Sequence, residues 1–175
     1  MTALSVDDLT LEQKIGQMLL VRKPQDDEDR AFIMDLVKNR SLGGMHVERS
    51  DARHFSEAAD YPVLICENME SGYTVGGMDA VCPMALGALD SEEMAYEFGR
   101  LTAIGAKADG YNVVFGPIVD IAMNPLSSCV GPRAFGGNKE LVSRIACAAI
   151  RGYQDNGMVV TAKHYPGFGE SPVDS

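Results

Sequence analysis

The residues best suited to chemistry in this 175-residue sequence gather in its last stretch, residues 159–175, VVTAKHYPGFGESPVDS. Met158, Val159 and Val160 make a continuous apolar run, the pattern of a short strand covered on both faces. Directly after it come Lys163 and His164, a loop shaped by Pro166, Gly167 and Gly169, and the carboxylates Glu170 and Asp174. Tyr165-Pro166 is a place where a cis peptide can sit. Open α/β sheets and β/α barrels hold their ligands at the carboxyl ends of strands. The plainer reading is an ordinary strand-to-helix loop with incidental polar groups.

Similar groups recur after the earlier apolar runs. His46 and Glu48 lie at the end of residues 43–47, Glu67, Asn68 and Glu70 follow residues 62–66, and Asp120 and Arg133 follow residues 112–115. In a barrel such strand ends share one face. Long donors mixed with carboxylates suit a ligand with many hydroxyls, because each hydroxyl both donates and accepts, and a sugar is the obvious candidate. Plainer roles stand beside these: His46 as a hydrogen-bonded core histidine, Arg133 as a surface residue or as the partner of Asp120.

The elements that must position these residues alternate regularly. Thr10 and Gln13 form a capping-box pattern, and Leu11, Ile15, Met18 and Leu19 follow at helical spacing, predicting a helix over an end of the core. Residues 22–30 are polar enough for a loop or helix entry, and a second helix follows with Phe32, Ile33, Leu36 and Val37 inward. Strands are predicted at residues 43–47, 62–66, 112–115 (continuing to 118–119) and 158–160. Helices are predicted at 51–59, 90–108 and 139–155, with a long loop over 67–83 and another over 120–137. Met94, Phe98, Leu101 and Gly105 mark the inner stripe of the 90–108 helix, which Gly110 ends. Leu141, Val142, Ile145, Ala148, Ala149 and Tyr153 mark that of the last helix, which Gly157 ends. Such alternation means parallel strands with right-handed crossovers. It predicts an α/β chain, a parallel β/α barrel of the TIM type with four strands and about its first half present, as a single domain over residues 1–175; a complete four-stranded open sheet is the competing architecture. A half barrel leaves apolar edge strands that invite pairing.

Composition narrows the function classes. The chain is 46% hydrophobic with net charge −10, which disfavours nucleic acid, and no apolar run approaches bilayer length. The first ten residues lack a secretory pattern. The four cysteines show no C-x-x-C spacing, and Cys66 and Cys147 stand in apolar runs as small hydrophobes; a cytoplasmic protein is the expectation. His46, His54 and His164 lack metal-ligand spacing, and neither a G-x-G-x-x-G nor a G-x-S-x-G motif is present, so no metal or cofactor is expected.

Four ordered blocks carry a resemblance: PVLICENMESG at 62–72, GPIVDIAMNP at 116–125, RAFG at 133–136 and KHYPGFGESPVDS at 163–175. Together they resemble glycoside hydrolase family 3, in its β-N-acetylhexosaminidase branch, with similarity running from Lys14 to the last residue. The resemblance implies a retaining glycoside hydrolase acting on terminal β-linked N-acetylhexosamine. Lys163, His164 and Arg133 match sugar contacts, as do Asn68 and Glu70 in the D-x-E-x-G block, where the family's usual aspartate appears as Asn68. Asp174 matches the catalytic dyad aspartate of an Asp-Ser-His unit whose histidine, the acid/base, would follow Ser175; the nucleophile lies further on. Phe168 replaces the glycine loop's second histidine and Glu170 its aspartate. The 175-residue chain alone is expected to be inactive. The alternatives are a non-catalytic sugar-binding or scaffold protein and a half barrel that pairs with its own copy.

Overall fold

The computed structural model describes residues 5–73, 81–127, 129–168 and 171–173. The chain divides into two compact units, one of Met1–Glu67 with Asp109–Asn112, the other of Asn68–Ala108 with Val113–Ser175.

In the first unit the capping box forms as expected: Thr10 Oγ1 accepts the Gln13 amide and Gln13 Oε1 accepts the Thr10 amide, opening α1 (Leu11–Gly16). The helix stops after six residues, so the apolar spacing runs off its end. Leu11, Ile15, Met18 and Leu19 are all exposed, contrary to the expected core cover. β1 (Leu20–Arg22) follows, a fifth strand where four were expected; it is three residues long and no turn residue announces it. Asp26 caps α2 (Asp27–Lys38) by accepting the Asp29 amide at 2.8 Å. Ile33 and Val37, one turn apart, bury their side chains, Leu36 is half-buried, and Phe32 is exposed rather than inward.

β2 (Gly44–His46), α3 (Arg49–Ala58) and β3 (Leu64–Glu67) complete the parallel set. β1 pairs with β2 through Val21 and Met45, and β2 with β3 through Met45 and Ile65. Val37, Leu42, Met45, Phe55 and Ile65 are fully buried here, each burial of this size contributing roughly 1.5–3 kcal/mol. Asn112, expected to begin a strand, instead clamps β3. Its Oδ1 accepts the Ile65 amide and its Nδ2 donates to the Val63 carbonyl, both at 2.7 Å.

The second unit begins at Asn68. α4 (Pro83–Leu89) is a helix in the stretch between the predicted loop over 67–83 and the predicted helix over 90–108, where no element was expected. α5 (Glu92–Ala108), β4 (Val113–Val114), α6 (Lys139–Asp155) and β5 (Val159–Val160) follow. Gly110 and Gly157, just beyond α5 and α6, take positive φ as the sequence suggests. α5 and α6 pack almost backbone to backbone. A Cβ on Gly99 would stand 2.2 Å from the Ala149 carbonyl oxygen, and one on Gly152 would stand 2.1 Å from that of Tyr96. Phe98, Ala149 and Tyr153 fill the seam, while Met94, Leu101 and Cys147, expected inside, are exposed.

β4 and β5 pair in parallel through Val113 with Val159 and Val114 with Val160. Pairing resumes past the strand ends, where Ile118 bridges Lys163 and the Val119 amide donates to the Lys163 carbonyl at 2.6 Å. The Tyr165–Pro166 peptide is cis, as are Gly116–Pro117 and Lys163–His164. This ladder brings Asp120 beside His164.

Candidate functional site

Glu70 organises the first group of polar side chains, all of them in the second unit. Its Oε1 accepts Arg133 Nε at 2.9 Å and Nη2 at 2.7 Å, and its Oε2 accepts Lys163 Nζ at 3.3 Å. Lys163 Nζ also donates to Asn68 Oδ1 at 2.6 Å, and Arg133 Nη1 reaches the Cys129 carbonyl at 2.8 Å. The 3₁₀ turn Gly131–Arg133 aims the guanidinium. Glu70 and Lys163 are only 11% and 15% exposed. Burial pushes the Glu70 carboxyl up, but its backbone hydrogen bond, Lys163 and Arg133 together hold it below the usual carboxylate range. Arg133 therefore has Glu70 as its partner, 63 residues away in sequence, and not Asp120.

Asp120 organises the second group. Its buried carboxylate accepts the His164 amide at 3.1 Å and the Phe168 amide at 2.8 Å, and lies 2.6 Å from His164 Nδ1. Burial opposes its ionisation, yet the His164 and Phe168 hydrogen bonds hold its pKa low. The Phe168 ring meets His164 edge-on at 4.6 Å and packs on Ile118, Val130 and Ala134.

Of the residues singled out from the sequence, Asn68, Glu70, Arg133 and Lys163 form one connected network, with His164 next along the chain. Asp174 and Glu170 lie outside the described residues. His46, in the first unit, is half-buried with Nε2 2.8 Å from Glu67 Oε1, and Glu48 pairs there with Lys23. Asp120, one of the strand-end polar groups singled out from the sequence, has His164 rather than Arg133 as its partner. Ammonium, guanidinium, imidazole and amide groups around two ionised carboxylates can bind several hydroxyls at once. Among the described residues no cluster of three or more His, Cys, Asp or Glu is placed to hold a metal ion, and no helix is long and apolar enough to cross a membrane.

Comparison with known proteins places this arrangement. A beta-hexosaminidase of Xylella fastidiosa (strain M12) is 35% identical over 161 residues, which cover 86% of this chain and 47% of that protein. The chain thus spans about half of that relative's length. The solved structure of a glycoside hydrolase family 3 beta-N-acetylglucosaminidase from Paenibacillus sp. str. FPU-7 superimposes with a TM-score of 0.80 at 32% identity, covering 95% of this chain and 35% of that one. A beta-glucoside phosphorylase bound to 2FGlc also superimposes with a TM-score of 0.80, at 29% identity over 96% of this chain and 32% of its own. The five parallel strands are part of a β/α barrel of the TIM type. With the family model described as the glycosyl hydrolase family 3 N terminal domain matching residues 10–175, the chain belongs to glycosyl hydrolase family 3.

Proposed function

We propose that this chain supplies the sugar-binding part of a retaining β-N-acetylhexosaminidase. The observation that carries the reading is the Asn68–Lys163–Glu70–Arg133 network, whose donors are held in fixed directions by a buried carboxylate. The named relatives, a beta-hexosaminidase and a beta-N-acetylglucosaminidase, support the choice of sugar. Retaining hydrolysis needs a carboxylate nucleophile and a proton donor for the leaving oxygen. In this reading Asp174 serves the proton donor, and Asn68, Glu70, Arg133, Lys163 and His164 hold the sugar. The 175-residue chain then binds without turning over. Calorimetry with N-acetylglucosamine should show saturable binding that Lys163→Ala abolishes; no binding by the unaltered chain overturns the proposal.

A second reading concerns assembly. Leu20 on β1 and Val159 on β5 are 46% and 53% exposed, and exposed apolar strands favour pairing with another chain. Self-association would appear as a sedimentation coefficient rising with concentration, and a monomer at every concentration sinks it.

A further inference from the structure

Asp120 has no exposed side-chain surface, and a buried carboxylate is costly unless its oxygens are bonded. All its side-chain bonds described above go to residues 164 and 168, so the carboxylate acts on one short loop. Its lowered pKa keeps it ionised, and an ionised carboxylate only accepts. The proton in the 2.6 Å contact therefore sits on His164 Nδ1. In neutral imidazole the two nitrogens take opposite roles, which makes Nε2 an acceptor. No described residue bonds Nε2, and 31% of the His164 side chain stays exposed. The Phe168 edge limits rotation of the ring, and the same carboxylate anchors Phe168 through its amide.

We propose that Asp120 is a positioning residue of the sugar site, fixing His164 in its Nδ1–H form so that Nε2 accepts a hydrogen bond from a sugar hydroxyl. This rests on the carbohydrate reading above. Lys163, which can only donate, and His164, which accepts, then stand side by side and discriminate neighbouring hydroxyls by direction.

The test is long-range 1H–15N correlation of the histidine rings in the labelled 175-residue chain, at a pH where they are neutral. The sequence holds three histidines, and His164→Gln identifies the signal. The expected result is the Nδ1–H pattern in the unaltered chain. Asp120→Asn keeps an oxygen for a backbone amide but loses the charge. It should move the population toward Nε2–H and weaken N-acetylglucosamine binding about tenfold, the size of one ordinary hydrogen bond. An Nε2–H pattern in the unaltered chain overturns the proposal without any variant. A changed tautomer with unchanged sugar affinity also overturns it. Nδ1–H in a chain that binds no sugar supports the hold of Asp120 on the ring and overturns the carbohydrate reading instead.

Discussion

Glu70 faces two cations with different oxygens, Arg133 on one and Lys163 on the other, so its removal would leave both positive charges without their carboxylate. Breaking a buried pair costs about 3–5 kcal/mol. Arg133 is 36% exposed and can rehydrate, so Glu70→Gln should cost nearer ~2 kcal/mol. Chemical denaturation at neutral pH checks this. The pH dependence follows from the sign of the shift. A carboxylate held below its ordinary pKa contributes stability that is complete above that ordinary value and fades as pH falls through the folded one. Glu70 and Asp120 both belong to this class. The unaltered chain should therefore lose stability as pH falls below about 4, and Glu70→Gln should show a shallower loss. Equal slopes would show that Glu70 contributes nothing to acid sensitivity. These partnerships were only half legible in the sequence. The residue types and the blocks holding them were readable, but Arg133 and Glu70 are 63 positions apart, and local spacing carries no signal for a contact that the fold creates.

At the scale of elements, legibility tracked local signals. Thr10 announces its helix because the cap is made by side chains within three residues. α4 has no such sign: Cys82 at its cap makes no side-chain hydrogen bond to the amides of the helix. Short, half-exposed β1 gave neither a buried run nor an alternation long enough to recognise. Exposed apolar residues on α1, α2 and α5 mark a further limit, since a periodic stripe shows that a face is apolar but not what covers it. The α5–α6 seam leads to a prediction. Gly152→Ala would thrust a methyl against the Tyr96 carbonyl. Overpacking of this kind costs about 1–3 kcal/mol, although alanine is the better helix former by up to ~1 kcal/mol. A net fall in melting temperature is expected, and a rise would show that the seam relaxes freely.

For the whole molecule, fold and reaction separate. A beta-N-acetylglucosaminidase and a beta-glucoside phosphorylase both superimpose at a TM-score of 0.80, so the framework alone leaves the chemistry open. The sequence blocks narrowed the choice because they name particular side chains on that framework. An aryl N-acetyl-β-glucosaminide offered to the 175-residue chain should bind and stay intact, as followed by release of the aryl alcohol. Turnover by this chain alone would show that its residues include a complete set of catalytic groups.

The near-contact of main chains at Gly99 and Gly152 bears on how this unit opens. Amides pressed against a neighbouring helix have little access to solvent until the helices part, so deuterium should enter residues 96–100 and 149–153 last. The exposed residues 165–167, just past His164, should exchange much earlier. The loop proposed to hold the sugar then opens and recloses while the α5–α6 pair stays shut.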